Sequence, residues 1–320
     1  MTNKQTVSDI LDRRRATAKL SRDQRVASFY EDHPDFLALR DDIKKTSQDL
    51  ILAMLQKEDT KPIQDKLDQL HKEEEAFLND HKMTKDFFEP DYTCKICNDE
   101  GFVDGKSCSC RKQLLVDQNY DQSKVKEKLK EQNFSTFKLD IFRKSRQQGE
   151  EVSPYENMKD LVQALTEEYV PYFSTKSPNL YFYGPTGTGK TFLVNSIAKG
   201  LLDRGYTVLY QTAGELLEFL VNYNFMFVED KESNYDRHQF VFDVDLLIID
   251  DLGTEFVRDQ TVAALFDLIN SRLVGKKPVI LSSNIELEEL GDYYDQRIAS
   301  RIQGEYTAFE IYGNDLRRQL

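Results

Sequence analysis

The stretch Leu180-Tyr181-Phe182-Tyr183-Gly184-Pro185-Thr186-Gly187-Thr188-Gly189-Lys190-Thr191 decides the fold. Four apolar residues read as a buried strand and residues 192–200 as a helix. The turn between them satisfies G-x-x-x-x-G-K-[ST], and strand and helix are the context that gives the motif its meaning. Glycines let the backbone wrap a phosphate chain at torsions that other residues resist. The amide N–H groups and the helix N-terminus then face the anion. Lys190 is placed to contact the β- and γ-phosphates, and the Thr191 hydroxyl to ligate Mg²⁺. The pattern predicts a nucleoside triphosphate, ATP with Mg²⁺, held on residues 184–191.

Outward from this loop, strands and helices alternate from about residue 155 onward, which predicts an α/β domain with a parallel sheet. Candidate strands are 179–183, 207–210, 245–249, 278–283 and 308–311. Several are continuous apolar runs, as expected of strands buried on both faces. The run Leu246-Leu247-Ile248-Ile249 ends in Asp250-Asp251, at the carboxyl edge where open α/β sheets bind ligands. Asp250 reads as the Mg²⁺-side carboxylate and Asp251 as a general base for the attacking water. Leu281-Ser282-Ser283 ends in Asn284, a polar side chain suited to orienting that water; outside an ATPase it would read as a turn residue. Arg297 and Arg301 stand at i and i+4 and share a helical face. One of them can reach a neighbouring subunit's γ-phosphate as an arginine finger. The alternative is a salt-bridging surface. Tyr223, Phe225 and Phe227 read as core packing in preference to a strand-binding cluster.

All four cysteines lie between Cys94 and Cys110, in the pattern Cys94-x2-Cys97, ten residues, Cys108-x-Cys110. Asn98, Gly101 and Gly105 supply turns between the two knuckles. So tight a set predicts structural Zn²⁺ in a module too small for a core. An iron–sulfur cluster, or His81 in place of one thiolate, are the alternatives. Four thiolates leave no open position, which argues against a catalytic zinc.

Residues 7–85 read as helices forming a hairpin or short bundle. Ile63, Leu67, Leu70 and Phe77 make one stripe, interrupted by Glu74 and widened by Leu78. An earlier face carries Leu50, Ile51, Met54 and Leu55, and Pro62 marks a helix restart. Residues 112–150 are lysine-rich, with a weak helical period at Val125 and Leu129. Residues 133–142, with three phenylalanines, read as a lead-in arm. At 320 residues one full domain plus a smaller module is expected. Hydrophobic residues make up 39% and charged residues 31%, which suits long solvated helices. No apolar run approaches the ~20 residues of a membrane span, so the reading is a cytoplasmic protein with no membrane partner. A net charge of −13 argues against autonomous duplex-DNA binding, which usually goes with a strong basic face, though it permits a local basic groove and equally suits docking on a basic partner.

Taken in order, Tyr183 to Thr191, Leu247-Ile248-Ile249-Asp250-Asp251-Leu252-Gly253, Ser283-Asn284 and Arg297-Ile298-Ala299-Ser300-Arg301-Ile302 resemble the AAA+ ATPases. They resemble most the replicative helicase loaders of the DnaC/DnaI type. The likeness covers residues 133–320, and the cysteine stretch 92–113 is similar to the module that precedes the ATPase in Firmicute-type loaders. The resemblance implies an AAA+ P-loop ATPase domain at 133–320, a basic connector at 113–132, a zinc module at 91–112 and a helical helicase-interaction region at 1–90. It implies that Asn284 is sensor 1, that Arg301 is the arginine finger supported by Arg297, and that Arg317, in Gly313-Asn314-Asp315-Leu316-Arg317, is the nucleotide-touching sensor 2. Where the family has Asp-Glu, this chain has Asp250-Asp251, and Glu255 stands close enough in sequence to substitute. Hydrolysis is therefore expected to be slow, as suits a switch. The implied activity is ATP-dependent loading of a hexameric replicative DNA helicase onto single-stranded DNA in the primosome, with self-association through the ATPase interfaces. The competing readings are an IstB-type transposition helper, which should carry basic N-terminal helices, and a nucleotide-gated adaptor with little hydrolysis.

Overall fold

The computed structural model describes residues 6–122 and 125–318. Residues 1–5 of the expected helical region, 123 and 124 of the expected connector, and 319 and 320 of the expected ATPase domain lie outside the described residues. The chain divides into two compact units between Cys110 and Arg111.

The first unit holds three helices, α1 (Val7–Asp32), α2 (Pro34–Gln56) and α3 (Lys61–Asp80). Thr6 caps α1 in a reciprocal box with Asp9, and prolines in the first turn start α2 and α3, where a missing N–H costs nothing. The core is aromatic: Phe29, Phe36 and Phe88 close on Leu78, with Phe77 and Phe87 packed around them. Glu74 does not interrupt the buried stripe of α3. It is 5% exposed and pairs with Arg40, so the charge is buried with its counter-ion. The apolar face expected from Leu50, Ile51, Met54 and Leu55 is not the packed face of α2. Phe36, Ile43, Thr46 and Ala53 are buried instead, while Ile51, Leu52, Met54 and Leu55 are exposed. Thr46 and Ala53 line a cavity of about 540 Å³ with Pro62 and Ile63 of α3, and Phe36 packs on Phe77 of α3 with ring centroids 4.5 Å apart. A short antiparallel hairpin, β1 (Phe102–Val103) with β2 (Lys106–Ser107), follows in the cysteine stretch.

Next come α4 (Ser109–Gln122), α5 (Val125–Glu131) and α6 (Pro154–Ala164), followed by β3 (Asn179–Tyr183), α7 (Lys190–Leu202), β4 (Val208–Thr212), α8 (Ala213–Phe225) and α9 (Val228–Asp243). The chain continues through β5 (Leu246–Leu252), α10 (Asp259–Val274), β6 (Val279–Ser283), α11 (Leu290–Tyr293), α12 (Gln296–Glu305) and β7 (Tyr306–Glu310). Strands β3 to β7 form one parallel sheet in the order β4-β5-β6-β3-β7. Leu247, Ile248 and Ile249 of β5 and Val279, Ile280 and Leu281 of β6 are fully buried, each side chain contributing roughly 1.5–3 kcal/mol. Helix α7 packs on β4, β5 and β6. Arg272, 0% exposed, ties the amino ends of β5 and β6 to α9 by donating to the carbonyls of Val241, Phe242, Val244 and Pro278. The expectation that Phe225 and Phe227 are core residues is overturned. They are 71% and 84% exposed where α8 gives way to α9, and only Tyr223 packs, on His238. No helix is long and apolar enough to cross a membrane among the described residues.

Candidate active site

The new strand β3 lies between β6 and β7, so the chain leaves β3 at a switch in strand order, where the carboxyl ends open a crevice. The loop there adopts torsions closed to other residues: Gly184 and Gly187 have φ of 132° and 85°. A Cβ on Gly184 would lie 2.2 Å from the Ile311 carbonyl, and one on Gly187 would lie 2.0 Å from Asp315 Oδ1. The loop is therefore clamped by the segment after β7, and Leu316 N–H donates to the Gly187 carbonyl at 3.0 Å. Thr188, 1% exposed, braces the turn through Oγ1 to the Pro185 carbonyl at 2.9 Å.

A cavity of about 910 Å³ opens on this loop. Thr186, Gly187, Gly189, Lys190 and Thr191 line one side with Asp251, Asn284 and Arg317. The other side is built by Gln132, Phe137, Ile141 and Phe142, with Leu316. Phe137 stacks on Phe142 at 5.9 Å and meets Phe192 edge-on at 5.3 Å, giving an apolar wall of the size and chemistry of a nucleobase. The sequence showed the phenylalanines of this arm but not that they line the site. Only contact with α7 places them there.

Lys190 is 6% exposed, and its Nζ donates to the Gly184 and Pro185 carbonyls at 2.6 and 2.7 Å and to Asn284 Oδ1 at 2.8 Å. Burial pushes its ammonium down to about 8, against the pull of Asp251 and Asp250. Phosphate binding favours the charged form, so the lysine must take up a proton wherever the free site has lost one. ATP affinity is expected to be flat below about pH 8 and to fall about tenfold per pH unit above it. The same shift destabilises the free fold below pH 8 and is relieved as pH rises toward the ordinary 10.5, so affinity and this stability contribution move oppositely. Calorimetry of a non-hydrolysable ATP analogue between pH 7 and 9.5 checks this; a level profile contradicts it.

Strand β5 carries an irregularity between Ile249 and Leu252, and Asp251 sits there at φ 57°, in the left-handed region. Such a torsion at a non-glycine residue is stored strain. It separates the two acids. Asp251 reaches the cavity wall, and burial, then the neighbouring Asp250, raise its carboxyl's proton affinity. Asp250 stays beneath, 1% exposed, with Oδ2 accepting from the Tyr210 hydroxyl at 2.6 Å and Oδ1 without a partner among the described residues. A buried carboxylate oxygen in that condition fits a divalent cation.

Glu255 is not brought to this cavity. Its carboxylate accepts from Gly253 N–H at 2.9 Å and from the Tyr294 hydroxyl, and it lines a separate cavity of about 540 Å³. Arg297 and Arg301 do not line the nucleotide cavity either. Both lie over the Phe266 ring, 4.8 and 4.9 Å from its centroid, on α12, whose first turn is capped by Asp295. Arg317 is on the cavity wall, 3.8 Å from Asp315.

In the first unit, the four cysteines are free thiols whose sulfurs all lie within 4.8 Å of one another. Cys94 to Cys108 is 3.8 Å and Cys97 to Cys110 is 3.4 Å. Four Zn–S bonds of about 2.3 Å in a tetrahedron set sulfurs about 3.8 Å apart, so one metal ion fits. An iron–sulfur cluster spreads its thiolates over more than one iron and needs a wider set. Buried Asp99 fixes the first knuckle by accepting from Thr93 and Cys94 N–H at 2.8 and 3.0 Å. His81 is not in the group; its Nδ1 meets the Phe77 carbonyl at 2.8 Å and its ring stacks on Phe77.

A glycine loop between strand and helix, acids ending the adjacent-but-one strand and a polar residue ending the strand between them, in this parallel sheet, define an AAA+ P-loop ATPase. The chain belongs to the family of IstB-like ATP binding proteins, whose model matches residues 146–318, more than half of its length. It is 29% identical over 150 residues to the chromosomal replication initiator protein DnaA of Aquifex aeolicus, covering 47% of this chain and 34% of that one. It is 25% identical over 151 residues to the replicative helicase loader DnaC of Escherichia coli (strain K12), covering 46% and 59%. With the replicative helicase loader DnaI of Bacillus subtilis it shares 28% identity over 144 residues, covering 43% and 44%. The chain thus spans between 34% and 59% of the length of these relatives.

Proposed function

We propose that this ATPase loads a hexameric replicative DNA helicase onto single-stranded DNA, with ATP binding as the switch. The observation that carries the reading is the joining of an ATP cavity to a self-contained four-thiolate module in a chain of net charge −13. So acidic a protein is poorly suited to gripping duplex phosphates alone and well suited to docking on another protein. The exposed stripe Ile51, Leu52, Met54 and Leu55 on α2 offers such a partner an apolar surface. Exposed Phe225 and Phe227 suit stacking on unpaired bases. Likeness to the loaders DnaC and DnaI supports the same reading.

In this reading Lys190 and the loop amides hold the triphosphate, Asp251 accepts the proton of the attacking water and Asn284 orients it. Thr191 and Asp250 would hold magnesium, which when bound offsets phosphate charge. Cys94, Cys97, Cys108 and Cys110 would hold zinc. Arg301, with Arg297 beside it, acts on the γ-phosphate of a neighbouring copy, so that ATP bridges subunits of a ring or spiral. Glu255 holds the turn after β5 and takes no part in the proton transfer.

Co-purification with the cell's replicative helicase, with and without ATP, tests the proposal. Nucleotide-dependent association is expected. Absence of association in both conditions removes the loader reading and leaves the ATPase intact. The matched family model favours a second reading, an IstB-type transposition helper. That reading requires ATP turnover to respond to duplex DNA, whereas a loader responds to single strands.

A further inference from the structure

We propose that the Tyr210 hydroxyl sets the metal-facing oxygen of Asp250 and so governs how strongly magnesium tightens ATP binding. The inference rests on Asp250 being the magnesium-side carboxylate. Tyr210 belongs to β4, and the parallel register pairs it with Ile248 of β5 and pairs Thr212 with Asp250. Alternation along a strand puts Ile248 and Asp250 on one face, so Tyr210 and Asp250 are diagonal neighbours, within reach of a long aromatic side chain. The hydroxyl closes that diagonal at 2.6 Å from Oδ2. Tyr210 is 8% exposed and Asp250 1%, so water does not compete for either group.

A carboxylate that can spin about its last bond offers a cation either oxygen at any angle. Here one oxygen is taken by a donor rooted in the next strand. The other, Oδ1, is buried without a hydrogen-bond partner among the described residues. Its plane and its free lone pairs are therefore fixed before the metal arrives. Asp251, turned to the cavity wall by its left-handed torsion, does not share this donor. Tyr210 does not line the nucleotide cavity; it is a positioning residue. The plain alternative is a core tyrosine whose hydroxyl has merely found an acceptor.

Calorimetry of AMP-PNP binding to the full chain, in Mg²⁺ and in EDTA, separates the two. The readout is the gain in affinity that Mg²⁺ confers. Tyr210→Phe keeps the ring and removes the donor. It is expected to cut that gain about tenfold or more while leaving affinity in EDTA at the parental value. A parental gain overturns the proposal, and so does an equal loss in both buffers, which marks a structural prop of the cavity. Asp250→Asn, measured alongside, must abolish the gain. If it does not, the assignment of Asp250 fails, which is a different failure from that of Tyr210. Should Tyr210→Phe not fold, 3-fluorotyrosine at position 210 alters the donor and keeps its shape; an unmoved gain there overturns the proposal.

Discussion

An Arg301→Ala variant is expected to bind ATP as the parent does and to hydrolyse it about a thousandfold more slowly or worse. The expectation follows from where the side chain is and is not. Arg301 does not line the nucleotide cavity of its own chain, so its removal leaves the ATP grip untouched. It is nonetheless held as a presented group. Its Nε donates to Asn270 Oδ1 at 2.9 Å, and its guanidinium lies over the Phe266 ring. Among the described residues those two contacts use one nitrogen and one face of a planar fork that carries five donors, leaving its terminal nitrogens for an anion. The helix that carries it is also tied to the acids. Just before the Asp295 cap, the Tyr293 hydroxyl donates to the Gly253 carbonyl at 2.8 Å and the Tyr294 hydroxyl to Glu255, both in the turn that follows Asp251. If Arg301 acts on a neighbour's phosphate, mixing matters. Lys190→Ala chains cannot hold ATP but still offer Arg301, whereas Arg301→Ala chains hold ATP and lack the finger. A mixture should regain activity that neither variant has alone. A dead Arg301→Ala variant with no recovery on mixing would falsify action across a subunit boundary, and full activity in Arg301→Ala alone would remove the role altogether.

What could be read from residues alone divides along a physical line. The phosphate loop was legible because its chemistry is local: glycine torsions, one lysine and one threonine in a row fix an anion wherever a strand precedes and a helix follows. Strand β3 falls on the residues its apolar run marks. Strand β5 was legible as far as Ile249 and runs on to Leu252, because the break in register at Asp251 is a backbone event with no hydrophobic signature. The aromatic wall at Phe137 and Phe142 and the Tyr210–Asp250 bond were illegible for a different reason. Each is a contact between distant segments whose register only the folded sheet sets. On α2 the apolar run from Leu50 to Leu55 pointed to the wrong face, since α2 meets α3 through Phe36 on Phe77 and Arg40 on Glu74, side chains that lie outside that run. Glu255 was brought in by closeness in sequence, and the turn after β5 carries it into a different cavity.

Removing the metal from the cysteine centre is expected to unfold the stretch around residues 91–108 while sparing nucleotide binding. The segment has almost no apolar core of its own: Ile96 is 70% exposed, and Phe102 and Val103 on the hairpin are 43% and 38% exposed. Two-residue strands cannot hold a hairpin in water. What organises it is the convergence of four sulfurs, helped by Asp99 accepting two amides and by Gly101 N–H donating to Cys97 Sγ at 3.3 Å. Brought together without a cation, four thiolates repel. With Zn²⁺ they gain an apparent free energy on the order of 10 kcal/mol, more than a segment this small can supply by burial. The parent should carry one zinc per chain by elemental analysis, and Cys97→Ser should lose it. Amide hydrogen exchange in residues 91–108 should then rise to the rate of an unfolded peptide. AMP-PNP affinity should not move, because the cavity that binds it is lined by residues between Lys130 and Arg317. Two irons with labile sulfide, or full protection of the segment in a metal-free preparation, would show that a single tetrahedral ion is not what holds these knuckles together.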